Sequence, residues 1–124
     1  ALKEDYANAY LLLAQLEVQE KNLPAAIQST EALAVLVPNN AGIQFELGLL
    51  KSSSKDYAGA IDAFEKAIAL TPDYANAKYY LGLSYTQVGR LDEARMQFED
   101  LLVNNPDSLE LQNAIEALNS GNKL

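Results

Sequence analysis

Pro38, Pro72 and Pro106 stand 34 residues apart. A fixed period of this length means that one supersecondary unit recurs, each copy too small to bury its own apolar face until a neighbour stacks on it. The period does not rest on proline alone. A shift of 34 residues also superposes Leu13, Leu47 and Leu81, and Ala26, Ala60 and Ala94. It brings Gly48 onto Gly82 and Phe64 onto Phe98, and two such shifts carry Asp5-Tyr6-Ala7-Asn8-Ala9 onto Asp73-Tyr74-Ala75-Asn76-Ala77. Any function of such a chain belongs to a stacked surface.

Within each unit the apolar residues fall at spacings of three and four, which predicts two helices per unit. In the third copy, Asp73 is the expected N-cap of a helix carrying Ala77, Tyr80, Leu81, Ser84, Tyr85 and Val88, broken by Gly89-Arg90. A second helix starts near Leu91-Asp92-Glu93, where acidic residues suit the helix dipole. It turns Ala94, Phe98, Leu101 and Leu102 inward and stops at Asn104-Asn105-Pro106. The other first helices are expected near residues 6–20 and 40–53 and the other second helices near 24–37 and 57–71, with turns at Lys21-Asn22 and Ser54-Lys55-Asp56. Pro24, off the period, falls in a first helical turn, where its missing N–H is no loss.

After Pro106 one further amphipathic helix is expected, at about 108–119. Leu111, Ile115 and Leu118 form its apolar stripe, Glu110, Asn113, Glu116 and Asn119 face away, and Ser120-Gly121-Asn122 ends it. Asp107 and Glu110 have capping-box spacing. One polar face suits a solubilising cap on a repeat array. At the other end, Ala1-Leu2 falls in register with Ala69-Leu70, the last turn of a second helix, and Glu4 stands in the proline position. This register leads to the expectation that the chain is a fragment cut within an upstream helix.

Composition narrows the function classes. The chain of 124 residues has a formal charge of −8, and its nine basic residues are scattered, so neither a phosphate backbone nor an anionic lipid surface is a fitting partner. No apolar run reaches the roughly 18–20 residues of a membrane span, and the first residues resemble no signal peptide; a soluble chain with no membrane contact is expected, its compartment open. With no histidine and no cysteine, the usual general base, thiol nucleophile and nitrogen or sulfur metal ligands are missing. The carboxylate pairs Glu17 with Glu20, Asp92 with Glu93 and Glu99 with Asp100 have helix-surface spacing and read as solvated charge, as do Asp62, Glu65 and Lys66. The glycines form no phosphate-cradling loop. No enzyme activity, cofactor or metal is expected. Tyr6, Tyr57 and Tyr74, near helix starts, are expected to pack between helices.

The motif set resembles that of tetratricopeptide repeat proteins over essentially the whole chain. Leu-Gly, then Tyr, a small Ala, Phe and a closing Pro appear as Leu81-Gly82, Tyr85, Ala94, Phe98 and Pro106. The second copy keeps Leu47-Gly48, Ala60, Phe64, Ala67 and Pro72 but has Lys51 for the tyrosine. The first has Ala14 for glycine, Glu17 for tyrosine and Thr30 for phenylalanine, with Tyr10, Leu13, Ala26 and Pro38 in place, and none has the early tryptophan. These departures are expected to weaken packing locally. The resemblance implies an all-α, right-handed solenoid of antiparallel helix pairs, about seven helices in one domain, with repeats at about 7–40, 41–74 and 75–108.

In such arrays the first helices line a concave wall. Three rows then face a ligand: Asn8, Gly42 and Asn76; Leu11, Phe45 and Tyr79; Gln15, Leu49 and Leu83, with Leu12, Glu46 and Tyr80 alongside. The surface is apolar and aromatic with an amide edge, suited to an extended peptide held partly through its backbone, although Leu11, Phe45 and Tyr79 could equally pack on the adjacent first helix. The family's carboxylate clamp for acidic chaperone C-termini wants Lys and Arg where Leu11 and Tyr80 stand, and a further Lys at Asn76, so no such tail is expected to bind. The implied function is a non-catalytic protein- or peptide-binding scaffold. The alternative is a structural spacer or a self-association segment, pairing through the amino-terminal face.

Overall fold

The computed structural model describes residues 2–121; Ala1 and Asn122, both expected at helix ends, lie outside the described residues. Among the described residues the chain forms seven helices and no strand: α1 Leu2–Gln19, α2 Leu23–Leu36, α3 Ala41–Ser53, α4 Tyr57–Leu70, α5 Ala75–Gln87, α6 Leu91–Asn104 and α7 Leu109–Asn119. Each helix packs on the one before and the one after it, and α3 also meets α5. Such nearest-neighbour stacking is an all-α solenoid. No described helix is long and apolar enough to cross a membrane.

The punctuation acts as its chemistry requires. Helices α2, α4 and α6 stop two residues before Pro38, Pro72 and Pro106, and the intervening Val37, Thr71 and Asn105 leave helical angles at φ −130°, −135° and −138°. Between the helices of each pair, one residue takes a left-handed backbone: Lys21 at φ 60°, Lys55 at 66° and Gly89 at 82°. Gly89 does so without a Cβ penalty, whereas the two lysines hold the same turn against a cost of about 1 kcal/mol.

Capping departs from expectation twice. Asn22, Asn40 and Asp56 accept hydrogen bonds from the backbone N–H groups of Ala25, Ile43 and Gly59 at 3.4, 3.1 and 3.0 Å. The corresponding cap of α5 is Tyr74, not Asp73, and it makes no side-chain cap bond. Its ring instead lies 5.1 Å from that of Phe45, and the helix starts at the register position where Asn40 caps α3. In α7 the cap is Ser108, which accepts from Leu111 at 3.3 Å. The capping box of Asp107 and Glu110 does not form: with Ser108 as the cap, Glu110 stands at the second helical position, and its carboxylate accepts a hydrogen bond from the Tyr79 hydroxyl. The remainder of α7 follows expectation: Leu111 and Leu118 are buried, Ile115 half-buried, and the four polar positions exposed.

The core is built on two matching contacts. Phe64 and Phe98 are fully buried, each ring lying flush against a glycine of the paired helix. A Cβ on Gly48 would sit 2.4 Å from the Phe64 ring, and one on Gly82 2.7 Å from the Phe98 ring. Glycine in a helix interior is intrinsically unfavourable by up to about 1 kcal/mol, and here it is what lets the ring enter. In the first pair Ala14 and Thr30 take these positions, and Thr30 turns its hydroxyl back to the Ala26 carbonyl at 2.8 Å.

Helix α1 differs most from expectation. Residues 2–5 extend α1 instead of closing an upstream helix, because Glu4, unlike Pro38 or Pro72, does not interrupt backbone hydrogen bonding. Tyr6, expected to pack between helices, is exposed, as is Leu13, whose equivalents Leu47 and Leu81 are buried. The second and third first-helices pack on the preceding pair as well as on their own partner; among the described residues α1 packs on α2 alone.

Gly82→Ala is expected to destabilise the fold by about 1–3 kcal/mol through overpacking against Phe98, despite a helix-propensity gain of about 1 kcal/mol. A thermal melt followed by circular dichroism checks this, and an unchanged or raised midpoint overturns it.

Candidate functional site

Direct contact places α3 beside α5, and a hydrogen bond from the Tyr79 hydroxyl to Glu110 Oε1, 2.5 Å long, carries the layer on to α7. The expected rows of α3 and α5 meet here. The Phe45 ring lies 5.8 Å from that of Phe64 and 5.8 Å from that of Tyr80, and the Tyr79 ring lies 5.5 Å from Tyr80 and 5.9 Å from Phe98. Phe45, Leu49, Tyr79 and Leu83 are half-buried and lean on the core, so each has one face for packing and one for solvent. Tyr80 is 38% exposed and Asn76 is exposed.

The aromatic row runs from the buried core to the surface without a break. Its edge-to-face pairs each contribute about 0.5–1.5 kcal/mol beyond the area they bury, which helps to fix the rings in place. Two tyrosine hydroxyls of α5, those of Tyr79 and Tyr85, are tied to carboxylates. Glu110 beside Tyr79, together with partial burial, pushes that phenol from 10.0 up to about 12. Burial of Tyr85, reinforced by its hydrogen bond to Glu65 at 2.7 Å, also raises its pKa.

The expected residues of α1 are arranged differently. Asn8, Leu11 and Gln15 are exposed and line a cavity of about 580 Å³ between α1, α2 and α3, which Gly42 and Glu46 of α3 also border. Leu12 is 67% exposed and joins neither the cavity wall nor the aromatic row. Rows expected to continue unbroken therefore divide into an aromatic half and a hollow half. Among the described residues α1 and α3 do not meet as α3 and α5 do. The Phe45–Tyr80 contact corresponds in register to Leu11 and Glu46, a pair with no aromatic ring to span the gap.

The cavity floor is formed by buried Ala14, Thr30, Leu33 and Leu50, none of them expected as site residues. Thr30 in the phenylalanine position was visible in the 34-residue register. Reading it as weakened packing missed that the lost ring opens a space toward the groove. Glu110 was missed too, because its capping-box spacing concealed a tertiary partner. Among the described residues no group of three or more histidine, cysteine or acidic side chains could hold a metal ion.

The family profile described as tetratricopeptide repeat matches residues 52–118. No curated protein sequence matches the chain. Among solved structures, the crystal structure of MamA is similar at a TM-score of 0.84 and 29% identity, covering 93% of this chain and 67% of that one. The first TPR of Spaghetti (RPAP3), bound to the HSP90 peptide SRMEEVD, has a TM-score of 0.82 and 19% identity, with 94% and 93% covered. The second TPR domain of human RPAP3, in complex with the HSP70 peptide SGPTIEEVD, has a TM-score of 0.81 and 20% identity, with 94% and 98% covered.

A phenol whose pKa rises on folding adds stability that is complete below its unfolded value and is lost as pH climbs through the folded one. The Tyr79–Glu110 contribution is therefore whole below pH 10 and disappears toward about pH 12. Ultraviolet titration of Glu110→Gln is expected to show one tyrosine moving from about 12 toward 10. A curve identical to that of the parent overturns the assignment.

Proposed function

We propose that this chain, which belongs to the tetratricopeptide repeat family, is a non-catalytic binding module that holds an extended apolar or aromatic segment of a partner protein along its first helices. The unit that binds is one domain of three repeats, at about 7–40, 41–74 and 75–108, closed by α7. The observation that carries the reading is the half-buried row of Phe45, Leu49, Tyr79 and Leu83, with Tyr80 beside it and exposed amides at Asn8, Gln15 and Asn76. Rings already locked by core contacts lose little entropy on binding, and amides alongside can serve the backbone of an extended peptide.

The same rows carry no lysine or arginine, and Glu46 and Glu110 stand at their margins. The related structures with HSP90 and HSP70 peptides hold acidic sequences, SRMEEVD and SGPTIEEVD. A wall of this charge disfavours such tails, and an apolar or basic segment suits it better. Peptide-display selection is expected to enrich apolar and aromatic sequences whose affinity falls at least about tenfold, or about 1.4 kcal/mol, when Tyr80 and Leu83 are replaced by Ala. SRMEEVD is expected to bind no tighter than about 100 μM. Salt-sensitive micromolar binding of that peptide, or selected peptides indifferent to the two substitutions, overturns the reading.

A second reading, self-association, draws on α1. Leu2, Tyr6, Leu13 and Leu16 are 75%, 58%, 44% and 50% exposed and fall at helical spacings on one stripe. Sedimentation is expected to show concentration-dependent pairing of the parent that Leu13→Glu abolishes. A monomer at all accessible concentrations removes this reading and leaves the first.

A further inference from the structure

The cavity in the first repeat has the position of a missing side chain. Residues 30, 64 and 98 are equivalent, and Phe64 and Phe98 fill the space between the helices of their pairs with no exposed surface, while Thr30 forms part of the floor of an open cavity of about 580 Å³. Residues 11, 45 and 79 are equivalent as well. Where the Phe45 ring reaches Tyr80 of the next first helix and the Tyr79 hydroxyl reaches Glu110 of α7, Leu11 has neither a ring nor a hydroxyl to do so. Two aromatic side chains are thus absent from one place, and α1 and α3 stay apart around it.

We propose that this cavity is a specificity pocket for an aromatic side chain of the bound segment, phenylalanine above all, with a lysine or arginine next to it in the partner. The inference rests on the groove reading and names what the groove selects. The floor of Ala14, Thr30, Leu33 and Leu50 is apolar except for one hydroxyl, and that hydroxyl is already committed to the Ala26 carbonyl at 2.8 Å. It presents a ring with methyl groups and no unpaired donor, the surface against which Phe64 and Phe98 are stable elsewhere in the chain. Ala14 carries a Cβ where Gly48 and Gly82 have none, so a visiting ring lies nearer the groove than Phe64 does and enters from it. At the mouth, Asn8 and Gln15 offer amides for the peptide backbone, and Glu46 bears the single formal charge among the described residues lining the cavity. On a chain of net charge −8 that carboxylate selects a cationic neighbour.

The test is a nuclear magnetic resonance titration of the whole chain with N-acetyl-phenylalaninamide, using N-acetyl-alaninamide as control. The phenylalanine compound is expected to saturate with a dissociation constant of about 1 mM, shifting the amides of Ala14, Thr30 and Leu33, and the alanine compound to leave them unmoved. In Ala14→Gly/Thr30→Phe, where the chain supplies the ring itself, these shifts are expected to weaken at least about tenfold and the melting midpoint to rise. Thr30→Met, which fills the space without needing the glycine, gives the same loss of binding if the double variant fails to fold.

No saturable shift in the parent, or equal binding by parent and filled variants, overturns the pocket. Shifts confined to Phe45, Leu49 and Tyr79 overturn it as well and leave the groove reading standing. If no display peptide is enriched while the pocket still saturates and the filled variants lose it, the groove reading fails and the pocket stands.

Discussion

The seating of a phenylalanine ring on a bare glycine holds this molecule together. Phe64 on Gly48 and Phe98 on Gly82 bring paired helices close enough for their backbones to define the spacing of the stack. From that spacing follow the burial of Ala60, Ala67, Ala77 and Ala94, which have room for a methyl group and little more. The outer rings depend on it too. Phe45 touches Phe64 and Tyr79 touches Phe98, so the half-exposed aromatic row rests on the two buried rings that the glycines admit. Where the first repeat substitutes Ala14 and Thr30, the row loses its support and a cavity takes its place.

A second periodic device ties successive pairs. Glu31 and Glu65 are equivalent residues on α2 and α4, and each is met by the same position of the following first helix. Lys51 reaches Glu31 at 3.4 Å, and the Tyr85 hydroxyl donates to Glu65 at 2.7 Å. The lysine that departs from the repeat pattern thus keeps the pattern's donor. In α1 the equivalent Glu17 accepts from Ser29 of its own pair at 2.6 Å. Asp100 pairs with Lys78 across α5 and α6. Several carboxylates that read as solvated helix charge are therefore inter-helix acceptors; sequence spacing along one helix could not reveal a donor on another.

The candidate site was legible in part. Phe45, Leu49, Tyr79 and Leu83 could be picked from their register because the repeat transfers a direction in space along with a residue number. Leu12 could not be separated from them, since its exposure depends on which helices pack on α1. Asp73 and the Asp107–Glu110 pair satisfied local capping rules. Each helix begins one residue later, α5 at the position where Asn40 caps α3 and α7 at Ser108, which caps with its own hydroxyl. Local capping rules admit neighbouring residues, and the register of the stack selects among them.

The sequence by itself determined the seven helices, the proline ends of α2, α4 and α6, the places of the turns and the equivalence of positions along the stack. These follow from backbone sterics and from a period that local chemistry imposes on every copy. Only the tertiary structure decided which side of each residue is free. It turned Leu13 outward while burying Leu47 and Leu81, tied off the hydroxyls of Tyr79 and Tyr85, and left open the space beside Thr30. Exposure is set by what lies across from a side chain, and among the described residues α1 packs on α2 alone while α3 and α5 each pack on three helices.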